Sequence, residues 1–116
     1  MARYARAHGG LFDEGDFAAQ RAEWGEPLRA TYRGVTIYET PPPTQGLSVL
    51  QMLGLLEPWD LGALDFLGPD HVHLLVQAKM IAYHDRDGLI ADPAFATVPV
   101  ERLLSRAYLD ERRRLI

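Results

Sequence analysis

Three of the four histidines, four side-chain hydroxyls and one acidic run are the groups in this chain whose types could do chemistry. His71 and His73 stand two apart on what reads as a helix, which turns them about 200° from one another and off any shared metal ion. His73 and His84 fall on a similar face but about 16 Å apart along the axis, beyond one cation's reach. The run His84-Asp85-Arg86-Asp87-Gly88 opens like a calcium loop. Such a loop closes on a bidentate glutamate at its twelfth position, and that position counted from Asp85 is Ala96. A charged helix end, with Arg86 paired to neighbouring carboxylates, is the better reading. A kinase catalytic loop fails too, because Gly88-Leu89-Ile90-Ala91 after Asp87 brings no asparagine at the required offset. Thr44, Ser48, Thr97 and Ser105 are nucleophiles by type alone; no Gly-x-Ser-x-Gly elbow is present, and Thr97 and Ser105 are placed to cap helices. Gly9-Gly10 and Gly46 lack the Lys-Ser/Thr that grips phosphate. Trp24 and Trp59 are expected as core anchors. These residues therefore predict no catalytic, substrate-binding or metal-ligating site.

The elements that would position such groups read as an α+β, helix-dominated chain. A short helix over 2–8 is stopped by Gly9-Gly10, and Asp16 is expected to cap a second over Phe17–Ala22. Residues 28–39 read as a β-hairpin turning at Arg33-Gly34, so Tyr32 opposes Val35, Ala30 opposes Ile37 and Leu28 opposes Glu39. That register gathers Ala30, Tyr32, Val35 and Ile37 on one face. Pro41-Pro42-Pro43 cannot donate hydrogen bonds and must end the ladder. After Gly46, the spacing of Val49, Met52, Leu53 and Leu56 predicts an amphipathic helix ended by Pro58, widened by Leu47 and Leu50. A second strong helix starts near Pro69 and stops near Gly88, with Val72, Leu75, Val76 and Tyr83 at helical spacing, flanked by Leu74, Ala78 and Ile81. It is apolar over more than half its circumference, so burial on two sides is expected. Those two stripes are expected to pack on each other and to cover Tyr32 and Ile37. Short helices follow Pro99 and Ser105. A two-stranded hairpin is marginal alone and must lie on the helices or extend a larger sheet.

Composition narrows the function classes. One domain or sub-domain is the expectation for 116 residues, and 47% apolar with 24% charged residues is an ordinary globular balance. A net charge of -4 leaves no basic field for nucleic acid or an anionic membrane. The cluster Arg112-Arg113-Arg114 is expected as a solvated helix end that complements the helix dipole. The absence of cysteine removes disulfides, thiolate metal sites and a cysteine nucleophile together. No apolar run approaches the ~20 residues of a membrane span, and Met1-Ala2-Arg3-Tyr4 does not lead into a signal core, so compartment stays open.

A set of motifs in fixed order points further. They are Gly15-Asp16-Phe17-Ala18-Ala19, Pro27-Leu28, Tyr32-Arg33-Gly34, Pro41-Pro42-Pro43-Thr44-Gln45-Gly46 and Leu50-Gln51-Met52-Leu53. Then come His73-Leu74 with Ala78-Lys79, Ala82-Tyr83-His84-Asp85-Arg86, Ala91-Asp92-Pro93-Ala94-Phe95, Val98-Pro99-Val100 and Leu104-Ser105-Arg106-Ala107-Tyr108. Over roughly residues 8–116 the chain resembles the gamma-glutamyltransferase (glutathione hydrolase) family, in the later part of its large subunit. The departures are small: Thr44-Gln45-Gly46 replaces a commoner serine-glycine run, and His84 stands where a small or aromatic residue is usual.

The resemblance implies a segment of the α/β/β/α sandwich of N-terminal-nucleophile hydrolases. Such enzymes are made as one precursor that cuts itself, freeing a threonine whose own amine is the base for acyl transfer from γ-glutamyl amides. The threonine, the carboxylate-gripping arginine and the oxyanion donors would all lie outside this chain, and none of Arg29, Arg33 or Arg86 matches the arginine motif. No cofactor is implied. The partners implied are the rest of the precursor (the small subunit and the N-terminal part of the large one) and γ-glutamyl substrates of the whole enzyme. As a fragment the chain is expected to form a homo-oligomer, with no nucleic-acid or membrane partner. Family members are periplasmic, secreted or cytoplasmic. A cephalosporin acylase-like amidase is the alternative within the resemblance, and a stand-alone interaction module the alternative outside it.

Overall fold

Arg33-Gly34 turns the chain back on itself with both residues at positive φ, 50° and 79°, the twist that suits a two-residue hairpin turn and that glycine accepts without strain. The computed structural model describes residues 1–116. Strands β1 (Leu28–Tyr32) and β2 (Val35–Glu39) form a two-stranded antiparallel sheet in the expected register, Leu28 opposite Glu39, Ala30 opposite Ile37 and Tyr32 opposite Val35. Ala30, Tyr32 and Ile37 are half-buried against the first long helix, whereas Val35 beside the turn is exposed. The turn is tied down. The Arg33 amide donates to both Glu57 carboxylate oxygens at 3.2 Å, and its guanidinium donates to the Trp59 carbonyl.

Six helices complete the chain, and three of them carry the central cluster. We number α1 (Ala2–Ala7), α2 (Glu14–Ala19), α3 (Gly46–Leu56), α4 (Pro69–Leu89), α5 (Val100–Leu103) and α6 (Arg106–Arg113). Pro69 opens α4, where its missing N–H costs nothing, and the Ser105 hydroxyl accepts from the Tyr108 amide to cap α6. The central cluster is Leu55 and Leu56 of α3, Leu74, Ala78 and Ile81 of α4, and Leu109 of α6, with Trp59 packed against it. α6 comes close because Gly54 has no side chain: a Cβ there would sit 2.7 Å from Leu109 Cδ1.

α3 and α4 do pack together, but through faces shifted from the central stripes that the spacing predicted toward their flanks. The inward residues are Leu47, Leu50, Gln51 and Leu55 on α3, and Leu74, Ala78, Ile81, Ala82 and Asp85 on α4. Of the central stripe residues only Leu56 is buried, while Val49, Val72 and Val76 are exposed and Met52, Leu53, Leu75 and Tyr83 half-buried; the flanking Leu47, Leu50, Leu74, Ala78 and Ile81 are the ones that turn inward. The reason is that α3 is apolar nearly all round and α4 carries two apolar stripes, so spacing alone cannot select a face. α4 is buried on one side here, and its other side is open.

The first 27 residues behave differently. The cap of α2 is Asp13, whose carboxylate accepts from the Gly15 and Asp16 amides while Asp16 accepts from the Asp13 amide. This capping box, with Asp16 at the third helical position, starts the helix earlier than the predicted Asp16 cap, and the helix ends at Ala19. Trp24 is wholly exposed, contrary to the anchor expected. Thr97 does not cap α5, whose N-cap is Pro99.

The chain is open for its size. Its radius of gyration is 18.2 Å, against about 13 Å for a self-contained domain of this length. Its accessible surface is 8644 Å², about 2300 Å² more than a folded monomer of 13.0 kDa shows. No helix is long and apolar enough to cross a membrane.

Candidate functional site

The densest polar cluster sits where α3, α4 and α6 meet. Asp85 belongs to the buried face of α4, since it follows Ala78 and Ile81 at seven and four residues, and it is buried. Its Oδ2 accepts from the Gln51 side-chain amide and from the Tyr108 hydroxyl, the latter at 2.9 Å, and its Oδ1 faces Arg112 Nη2 at 3.4 Å. One carboxylate thus takes a donor from α3 and two from α6. Burial, then the hydrogen bond and charge of Asp85, push the Tyr108 hydroxyl above its usual pKa, with Arg112 and Arg102 opposing. An open cleft of about 520 Å³ lies beside the cluster, lined by His84, Asp87, Gly88 and Leu89 as well as Asp85, Tyr108 and Arg112.

The cluster is built to hold helices together. A buried carboxylate given three donors, one of them cationic, is neutralised and fixed in place. The next residue along α6 extends the tie: Arg113 Nε donates to the Leu55 carbonyl at 2.9 Å and its Nη2 to the Gly54 carbonyl at 2.8 Å. Those are carbonyls at the end of α3 that no later turn satisfies. The basic cluster is therefore not a solvated helix end as predicted. Arg112 and Arg113 turn inward and Arg114 alone is exposed, because α6 lies across the C-terminus of α3.

The four hydroxyls singled out in the sequence stand apart from the cluster. Thr44 Oγ1 is bonded to Thr40 Oγ1 at 2.7 Å, Ser105 Oγ donates to the Arg102 carbonyl, Ser48 Oγ is buried without a partner, and Thr97 is exposed. None of the four meets a histidine or a carboxylate, so none has a base. His71 Nδ1 accepts from the Leu67 amide at 3.3 Å, His73 lines a separate cleft with Trp59 and Asp70, and His84 lies beside Asp85. No three of the His, Asp and Glu side chains gather as metal ligands. Arg86 pairs with Asp87 at 2.7 Å, as the charged helix end required, and stacks 4.0 Å from the Tyr83 ring centroid. Asp85, predicted as part of that same exposed end, is instead the centre of the buried tie. A glutamine amid the apolar run Leu50-Gln51-Met52, with an aspartate in phase with Ala78 and Ile81, was the signal for it.

The comparisons with known proteins place the chain among much longer ones. The family model described as Gamma-glutamyltranspeptidase matches residues 1–116. The chain is 51% identical over 114 residues to the Acylase ACY 1 proenzyme of Pseudomonas sp. (strain SE83), covering 97% of this chain and 20% of that protein. It is 41% identical over 93 residues to the Glutathione hydrolase-like YwrD proenzyme of Bacillus subtilis (strain 168), covering 80% of this chain and 18% of that one. Among solved structures it is similar to the gamma-glutamyltranspeptidase of Helicobacter pylori, with a TM-score of 0.85 at 30% identity, covering 99% of this chain and 33% of the other. The chain spans about a fifth of the length of the curated relatives it matches, and its helices and hairpin are a segment of the N-terminal-nucleophile hydrolase fold. On the match along its full length, the chain belongs to the gamma-glutamyltranspeptidase family.

Proposed function

We propose that this chain is a structural segment of a gamma-glutamyltransferase-like enzyme, which transfers or hydrolyses the γ-glutamyl group of glutathione and related amides. The nucleophilic threonine lies outside residues 1–116. The observation that carries the reading is the combination of a family match over the whole chain with hydroxyls that have no base. The rest of the same precursor is its partner, and separated from that partner the chain self-associates. Two observations support this: the excess accessible surface, and a two-stranded sheet with nothing beyond either edge. A second reading, a cephalosporin acylase-like amidase, is favoured by the 51% identity to an acylase proenzyme and by the likeness to a cephalosporin acylase of Bacillus halodurans.

The test uses the full-length polypeptide that carries this segment, given a chromogenic γ-glutamyl anilide with and without glycylglycine, and separately a cephalosporin amide. The expected result is anilide release by the full-length polypeptide and none by the 116-residue chain, since nucleophile, base and oxyanion hole are missing together. Release by the short chain overturns the reading. Cleavage of the cephalosporin amide alone establishes the second one.

A further inference from the structure

α4 has a second apolar stripe that nothing in the chain covers. Val72, Val76 and Met80 recur every fourth residue on the side opposite Leu74, Ala78 and Ile81, and are 40%, 44% and 60% exposed. Tyr83 continues the row and is half-buried under the cations Arg86 and Lys79, which lie 4.0 and 4.9 Å from its ring centroid. Lys79 borders the stripe and forms no ion pair with any carboxylate of the chain, whereas Arg86 is paired with Asp87. Along the other margin stand His73 and His84, both exposed. A ridge of residues spaced by four, bordered by one unpaired cation, has the shape and charge that receive another helix.

We propose that this outer stripe of α4 seats an apolar helix of the same polypeptide from outside residues 1–116, with a carboxylate of that helix facing Lys79. The proposal rests on the reading of this chain as a segment of a longer enzyme, and it adds which face meets the remainder and what meets it. Two observations select this occupant over others. The relatives are about five times longer than the part matched, and Val72, Val76 and Met80 stay exposed in residues 1–116. A second copy fits less well. Lys79 stands midway along α4, so a two-fold pairing centred between Val76 and Met80 would set Lys79 beside its own copy, like charge against like.

Residues 1–116 contain no cysteine, and any cysteine elsewhere in the full-length polypeptide is first replaced by serine. Val76→Cys and Met80→Cys are made separately in the full-length polypeptide, and each is reacted with a maleimide in the folded state and in urea. Labelling in the folded state should be at least about 100-fold slower than in urea at both sites, because a seated helix must open to expose them. Lys79→Glu, added to Met80→Cys, should speed labelling several-fold, and Lys79→Arg should not. Labelling near the urea rate at both sites overturns the proposal. So does protection that disappears when the polypeptide is diluted, which would make the occupant a second copy. Lys79→Glu leaving the rate unchanged removes the facing carboxylate. Anilide release by the parent polypeptide reads the functional assignment independently, so protected cysteines without activity would sink that assignment and leave the seat standing.

Discussion

The N-terminal arm and the α3–α4–α6 block are both helical, yet only one of them has an inside. The arm is locally well formed. α2 carries a reciprocal capping box, and Tyr4 stacks on His8 at 4.1 Å. Even so, Ala2 is its one buried residue, and Leu11, Phe12, Phe17 and Trp24 are exposed. The block has helices with weaker caps, for no side chain caps α3 or α4, but α3, α4 and α6 hold thirteen of the fifteen buried residues, and Leu103 of α5 is a fourteenth. Its stability comes from contacts distant in sequence: Leu55 on Ala78, Gln51 and Tyr108 on Asp85, Arg113 on the end of α3. The difference teaches that capping decides where a helix begins, and burial decides whether it persists. Six-residue helices such as α1 and α2 are below the length at which a helix is stable in water without packing.

Substitution should separate the two regions most strongly at apolar positions. Leu55→Ala empties a fully buried site and should cost about 2–5 kcal/mol, whereas Trp24→Ala should change stability by less than about 0.5 kcal/mol. Urea midpoints at constant slope read both. Equal losses would mean that the arm is packed after all.

The buried tie gives a smaller effect with a pH signature. Asp85→Ala leaves Arg112, Gln51 and Tyr108 without their acceptor and should cost about 2–4 kcal/mol. The Tyr108 hydroxyl has a raised pKa in the folded chain, so folding favours the neutral phenol. Its contribution is complete below the ordinary value of 10.0 and is lost as pH rises through the folded value, where a phenolate would face Asp85. Stability should therefore fall on the alkaline side, and Tyr108→Phe should flatten that fall. A variant that keeps the full alkaline slope would remove Tyr108 from the account.

Signals confined to a few neighbouring residues were legible in the sequence. Arg33-Gly34 set the hairpin register, Pro69 and Gly88 bracketed α4 to within a residue, and Ser105 marked the start of α6. The choice between apolar faces was not legible. On α3 the Val49–Met52–Leu53 side and the Leu47–Leu50–Leu55 side are both apolar, and the hairpin and Leu109 decide between them. The burial of Asp85 and the inward turn of Arg112 and Arg113 depend on α6 crossing the end of α3, a contact nearly sixty residues apart for Arg113. Trp24 shows that an apolar residue type is not by itself evidence of a core. In this chain it marks surface with no cover of its own.

Amide hydrogen exchange on the 116-residue chain tests most directly the claim that the block has a core of its own and the arm has none. The account predicts that amides of α3 and of the Leu74–Asp85 stretch of α4 exchange slowly and together, as one cooperative unit, while those of residues 2–19 exchange at nearly the rate of an unfolded chain. Protection in α1 and α2 equal to that in α4 would contradict it.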